Sequence, residues 1–554
     1  MTHASNKAYK EKLYGWLSYA FASEVFVIVS LTLFLPICLE QFARDNGYLL
    51  PDKTERCSAI KATAEALPPR CVVRIAWFWI DSASFSLYVY SISVALQALT
   101  VISMGGIADH PPHRKRLLLT FAFFGSLAAT VFFVLSSSSP VWILAAPLAM
   151  IANVGFGASI VAMNAYLPSL AKASPEVAAI RQQMLSSTDG DDDSDPSSTA
   201  PSDSNDIEAP LIQSPSSMQA THTSPLQKKY DEELSRATSR ISSLGIALGY
   251  AAGIALLIVA LVPITKLHGS TFALRLAIGM SGVWWLVFSI PAALWLPGAK
   301  EADGRDDAEW SRSDEEWNTR REIVKAWKRL GAMLRPHEIK RLRNTFKYLA
   351  AWFLLSDGFT TITSTAILFG KTSLNMQPSA LILIGVLTPS SGIAGSLLWP
   401  ILQRRLKWSN LKILVTLVLM ASAVPAYGCL GFLSVFQGDG LRFGGLTTQG
   451  EMYVLAVYFG AVYGAFQGYA RAFYAELLPP GEEARWYALF SITDKSSSFV
   501  GPLIVGLIAD LSGNIRYAFF FLVVMIWASV PVLLCVDVER GRRDAQQYRY
   551  TVSG

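Results

Sequence analysis

Apolar residues in this chain gather into long blocks separated by polar stretches, and block length is the first quantity that decides anything. Crossing about 30 Å of hydrocarbon takes about 20 helical residues. Twelve blocks reach that length: 14–38, 78–104, 117–136, 141–166, 242–264, 273–296, 346–369, 379–402, 411–434, 452–474, 487–511 and 517–536. Several contain Gly and Pro, which membrane helices tolerate because neighbouring helices satisfy the freed backbone groups. The pattern predicts an all-α membrane protein with twelve transmembrane helices. Polar stretches divide it further. Residues 1–13 are a polar N-terminus, 14–172 carry spans one to four, and 241–296 carry spans five and six. A second six-helix bundle occupies 346–536, and 537–554 form a polar C-terminal tail.

Two insertions interrupt this spacing. Residues 173–240 are rich in Ser, Asp, Thr and Pro, with the run Asp191-Asp192-Asp193-Ser194-Asp195. Too little there is apolar to form a core, so the segment is expected to be disordered. Residues 297–345 are charged throughout, but Ile323, Trp327, Leu330 and Leu334 recur at helical spacing among Arg320, Arg321, Lys325, Lys328 and Arg329. That predicts a basic amphipathic helix, either on the membrane surface or packed on the bundle.

The two sets of six spans are related. Ser23-Glu24-Val25-Phe26 in the first span and Ser356-Asp357-Gly358-Phe359 in the seventh place an acid at the same point of an apolar run, 333 residues apart. The alignment also pairs Tyr19 with Trp352. Gly157 precedes Pro168 by eleven residues, as Gly468 precedes Pro479, and spans five and eleven both open on Ser and Gly. Three matches in the same order predict a 6+6 duplication, the arrangement of the major facilitator fold. A carboxylate at mid-bilayer depth costs roughly 2.5–3.5 kcal/mol, so Glu24 and Asp357 are expected to face a shared interior where they have a use.

Composition agrees with a membrane protein: 52% hydrophobic, 16% charged, mean hydropathy +0.35. The net charge of +5 follows from topology, because Arg114-Lys115-Arg116, Arg404-Arg405-Lys407 and Arg540, Arg542, Arg543 fall on the side of the N-terminus. Basic loops choose the cytosol, which places both termini there and leaves no reason to invoke nucleic acid. The six histidines lie outside the apolar blocks, and neither a buried Cys/His cluster nor a P-loop is present. No metal, no cofactor and no enzyme activity is expected. Cys57 and Cys71 share the first non-cytosolic loop, as a disulfide or as two thiols.

Beyond Glu24 and Asp357, the charges expected to be buried are Asp494 and Lys495. Adjacent helical residues point about 100° apart, so the two are not expected to pair with each other. Arg471 is expected to reach for the phosphate layer and Asp81 to be a wet boundary residue. Gly385, Pro389, Gly392 and Gly395 predict a break in span eight.

Gly105-Gly106-Ile107-Ala108-Asp109-His110-Pro111-Pro112-His113-Arg114-Lys115-Arg116 resembles the Gly-x-x-Asp-Arg-x-Gly-Arg-Arg signature of major facilitator transporters, with His110 and Pro112 as departures. The resemblance makes Gly106, Asp109 and Arg114 a conformational latch. A closer resemblance covers nearly the whole chain. Tyr19-Ala20-Phe21-Ala22-Ser23-Glu24, Leu39-Glu40-Gln41-Phe42-Ala43-Arg44, Asn164-Ala165-Tyr166-Leu167-Pro168, Leu355-Ser356-Asp357-Gly358 and Glu476-Leu477 with Pro479-Pro480-Gly481 are similar to the fungal autophagy-related vacuolar effluxer family, number twenty-two of its series. This resemblance implies a multi-pass protein of the vacuole membrane that exports amino acids after autophagic breakdown. An amino acid carries one ammonium and one carboxylate. Glu24 or Asp357 can hold the first, and Lys495 or an opened helix end the second. Either acid can instead carry a coupling proton. The expected assignment is Glu24 for the proton and Asp357 for the ammonium. A non-transporting amino-acid receptor and a facilitator for another small solute are the alternatives.

Overall fold

The computed structural model describes residues 3–57, 70–75, 77–108, 111–188, 225–298, 318–436, 443–479 and 483–548. Its helices fall into two sets of six. In the first half, span one runs from His3 to Asp45, span two is Ser82–Ala108, span three Pro111–Val131 and span four Ala145–Asn164. Span five is the long helix Pro225–Lys266, and span six is Thr271–Phe288 continued by Ile290–Trp295. The second half comprises Arg343–Thr372, Pro378–Leu406, Asn410–Leu430, Gln449–Ala475, the pair Glu483–Ser497 and Val500–Ser512, and Ala518–Leu534. Among the described residues, nine helices are long and apolar enough to cross a membrane. The other three positions belong to span three, which opens on His113-Arg114-Lys115-Arg116, to span ten, and to the interrupted span eleven.

Span one is not a uniform α-helix. Residues His3–Val25 are α-helical, Phe26–Phe34 form a π-helix, and Leu35–Asp45 return to α. The widened turns begin two residues after Glu24. Such segments are rare in helices and gather at functional positions.

Small residues set the spacing of the spans. Gly392 and Gly395 of span eight lie against Gly460, Ala461 and Gly464 of span ten, and a Cβ on Gly395 would run into the Ala461 carbonyl. The break expected in span eight is therefore corrected. Its helix is continuous with Pro389 and Pro400 inside, and its glycines serve close packing. The interruption falls in span eleven instead, at Ser498-Phe499.

Two other expectations change at their edges. The segment 173–240 is helical at both ends, as Pro175–Thr188 and as the start of span five from Pro225, and Arg240 pairs with Glu176 at 3.2 Å. The Asp-rich run lies outside the described residues. The apolar run assigned to span two from 78 begins as a strand. β1 (Tyr48–Leu49), β2 (Cys71–Ile75) and β3 (Phe78–Asp81) form an antiparallel sheet in that order on the face remote from the termini. Cys57 and Cys71 are joined in a disulfide beside it, with Cα atoms 6.0 Å apart. The linker helix Thr319–Met333 forms as the spacing predicts and packs on span two, where Trp327 Nε1 donates to Ser103 Oγ at 3.1 Å.

Candidate functional site

The charged residues inside the spans meet where the two halves face each other. Glu24, on span one, packs its Cβ and Cγ over Gly249 of span five, in the space a side chain at Gly249 would need. Among the described residues its carboxylate accepts no hydrogen bond, and the charge it faces is Lys495 of span eleven, in the opposite half. The two are too far apart for a direct ion pair. Tyr250, next to Gly249, stands within electrostatic reach of both Glu24 and Arg471.

Asp357 occupies the corresponding place on span seven but has a different environment. It is 2% exposed, and its Oδ1 accepts from the Gly501 N–H at 2.9 Å and from Thr361 Oγ1 at 3.4 Å. Gly501 opens the second helix of span eleven, so Asp357 satisfies one of the backbone donors that a helix start leaves free. The break in span eleven exists beside a carboxylate placed to receive it.

Asp494 and Lys495 end the first helix of span eleven. Asp494 Oδ1 accepts from Ser356 Oγ, the residue before Asp357. Its Oδ2 lies 3.6 Å from Lys495 Nζ. The expectation that these neighbours do not pair is corrected: the lysine's four-carbon arm spans the angle between adjacent helical positions. The lysine side chain remains 42% exposed. Three tyrosines complete the constellation. Tyr90 of span two is close to Asp357 and Asp494. Tyr463 of span ten is close to Asp494, Tyr90 and Tyr250, and its hydroxyl accepts from Gln467 Nε2 at 2.8 Å. A set of three acids, one lysine and three phenols from both halves can bind a small zwitterion or relay a proton.

The aromatic pair found by the alignment lies deeper. Tyr19 is fully buried, and its hydroxyl accepts from Trp285 Nε1 at 3.4 Å. Trp352 is 2% exposed and stacks on Phe490 at 4.4 Å. Both sit inside their own halves, behind the acids. Arg471 is exposed.

On the face of the termini, Arg114 donates from Nε to the Ala108 carbonyl at 2.9 Å and lies over the Tyr166 ring at 5.0 Å. It thus clasps the end of span two to span four. Gly106 lies near the end of span two, and Asp109 lies outside the described residues. In the second half, Glu476 accepts from Asn410 Nδ2 and from Arg542 Nη2, both at 2.5 Å, tying the C-terminal helix Val538–Gln547 to the bundle.

Asp81 is not the wet boundary residue expected. Its carboxylate accepts from Arg70 Nε at 3.2 Å, and its N–H donates to Asp510 Oδ1 of span eleven at 2.8 Å. Burial pushes its carboxyl above the ordinary range, against the lowering by the Ala83 N–H and the Arg70 guanidinium. Tyr90, Tyr250, Tyr463 and Gln467 were not singled out in the sequence. The signal was a polar group inside an apolar run, which for tyrosine is too common to select one.

Two of the relatives identified by sequence span the chain almost end to end. An autophagy-related protein 22 of Cryptococcus neoformans var. neoformans is 43% identical, with 96% of each chain covered. An autophagy-related protein 22-1 of Penicillium rubens is 40% identical over 97% of this chain and 91% of its own. Among solved structures, the inward open conformation of the xylose transporter XylE from E. coli superposes with a TM-score of 0.54 at 9% identity, covering 96% of each chain. A bacterial homologue of the iron transporter ferroportin in an inward-facing state gives 0.52 at 11% identity, over 96% of this chain and 99% of that one. At such identity the likeness shows the fold, which is the all-α major facilitator arrangement of two six-helix halves. The family described as "Vacuole effluxer Atg22 like" matches residues 8–546, and with relatives of this identity along the whole length the chain belongs to that family of multi-pass transporters.

Proposed function

We propose that this protein is a secondary transporter of the vacuole membrane that carries amino acids from lumen to cytosol by alternating access, without enzyme activity, with both termini cytosolic. The observation that carries the reading is Glu24 facing Lys495 across the two halves with neither charge neutralised by the other. A zwitterion carries the two charges that would join them. Its ammonium meets Glu24 and its carboxylate meets Lys495, so the substrate bridges the halves. Charge-assisted hydrogen bonds of this kind contribute about 1.5–3 kcal/mol each. Rocking of one half against the other then exposes the bridged solute to either side.

The roles expected from sequence change accordingly. Asp357 has one oxygen committed to Gly501 and Thr361, and acts as a positioning residue that holds the start of the second helix of span eleven. Glu24 takes the ammonium. The basic loops beside Arg114, Arg404 and Arg540 support the cytosolic placement of the termini. The experiment is counterflow of a labelled amino acid in proteoliposomes holding the full-length chain. Wild-type protein should exchange the label, and Glu24→Gln and Lys495→Met should each bind and exchange it far less. Binding without any exchange by wild type would make the protein a receptor. Exchange unaffected by either substitution would remove the zwitterion site.

A further inference from the structure

The face remote from the termini is held shut by bonds between the halves. Arg70, beside the disulfide-closed loop, donates to Asp81 and, from Nη2, to the main-chain carbonyl of Asp510 in span eleven. Asp81 donates its N–H to the Asp510 carboxylate. Farther in, Ser84 Oγ donates to the Gly506 carbonyl at 2.8 Å and Ser91 Oγ to the Phe499 carbonyl at 2.6 Å. Spans two and eleven are thus zipped along their remote ends.

Behind this zip lies a carboxylate with no task in the substrate site. Glu40, on the last helical segment of span one, is 0% exposed. Its Oε1 accepts from Ser82 Oγ at 3.3 Å and lies 3.9 Å from Arg44 Nη1, while its Oε2 is enclosed and receives no hydrogen bond among the described residues. The charged groups that face it are Lys371 at the end of span seven, Arg44 on its own helix, and Asp81 at the head of span two. Arg275 of span six is turned to the Leu135 carbonyl at 2.5 Å, and Arg74 of β2 is exposed. Glu40 therefore touches the residue following Asp81 in the first half and attracts Lys371 in the second. An enclosed carboxylate oxygen without a donor disfavours the ionised form unless a nearby cation offsets it. Lys371 and Arg44 are such cations, and of the two only Lys371 belongs to the other half.

We propose that Glu40 is a proton-binding site that governs this closure. Ionised, it attracts Lys371 across the interface and holds spans two and eleven together. When it takes a proton from water on the remote side, that attraction is lost and the halves part there. Calling that side the vacuole lumen rests on the transporter reading above; the proton site itself does not.

Hydrogen–deuterium exchange on the full-length protein in nanodiscs tests this at about pH 5 and about pH 7.5, at times corrected for intrinsic exchange chemistry. In wild type, the segments 78–84 and 506–513 should exchange on the order of tenfold faster at the acid pH. Glu40→Gln, a neutral mimic of the same shape, should exchange fast at both. Lys371→Met, which removes the partner and leaves Glu40 in place, should do the same and serves should the first variant not fold. A wild-type pH response retained in either variant overturns the proposal, as does a wild type with no response. Amino-acid counterflow is read on the same preparations. Its absence alongside the expected exchange pattern would overturn the amino-acid reading and leave the proton site standing.

Discussion

Glu24 and Asp357 occupy equivalent positions of a duplicated chain, yet the span each one faces has made them different residues. Glu24 lies against span five, which is continuous, so its backbone offers no free donor and Gly249 only makes room. Its carboxylate is left to a charge from the other half. Asp357 lies against span eleven, which stops at Ser498-Phe499 and restarts, and the restart presents the Gly501 N–H. One acid thereby accepts no hydrogen bond among the described residues, and the other is bound into the architecture. Duplication copies a side chain; its partner decides its task.

The sharpest way to break this comparison is to neutralise the free acid. Glu24→Gln should lower amino-acid counterflow on the order of 100-fold, the loss of one charge-assisted bond, with thermal stability unchanged. Full exchange in that variant would end the distinction.

The bound acid should answer in stability. Asp357→Ala leaves the Gly501 N–H without its acceptor and should cost about 1–3 kcal/mol, read as a lower unfolding temperature in detergent. Asp357→Asn keeps an acceptor oxygen and should cost less than about 1 kcal/mol while keeping measurable counterflow. If Asp357→Asn abolished binding, Asp357 and not Glu24 would hold the ammonium.

The glycines sharpen the same contrast at smaller scale. Gly249→Ala displaces the Glu24 side chain and should reduce counterflow up to about tenfold, with a fold cost of about 1–3 kcal/mol typical of overpacking. Gly501→Ala meets Thr361 and Asp357 and should show mainly as lost stability. Equal effects of the two on flux and stability would mean that the acids are equivalent after all.

Away from the acids the effects should be slight. Deleting 189–224, between two helices of the first half, should leave counterflow within about twofold, because it removes no spanning residue. Arg240→Ala should change stability by less than about 0.5 kcal/mol, since its pair with Glu176 is exposed. Glu176 is held below its ordinary range by its own backbone N–H and by Arg240, against some desolvation. Its small contribution is therefore present above the unfolded carboxyl range and lost as pH falls through the folded value. A stability curve of Arg240→Ala that matches wild type at acid pH and differs slightly at neutral pH is the expected result.

The linear pattern carried much of this. Block lengths place the spans because hydrocarbon thickness is the same everywhere along the chain. The acids stand out because a charge in an apolar run is costly wherever the run packs. Glycine was harder to interpret. In span eight Gly392 and Gly395 suggested a break and proved to be a contact surface for span ten, because a missing Cβ permits either outcome. The pairing of Asp494 with Lys495 ran against expectation because backbone angles fix where Cβ points but not where a flexible lysine ends. Glu40 was visible only as one letter in a family motif, since its burial beside Ser82 and Lys371 is a property of surroundings drawn from spans two and seven.

Local sequence by itself determined the membrane setting, the duplication and the acids placed inside the spans, because each follows from the cost of placing a given residue in hydrocarbon. Only the tertiary structure decided which acid is free, which helix is broken and which charges face each other. Those outcomes depend on what a neighbouring span presents at a distance of a few ångströms, and spans far apart in the chain supply it.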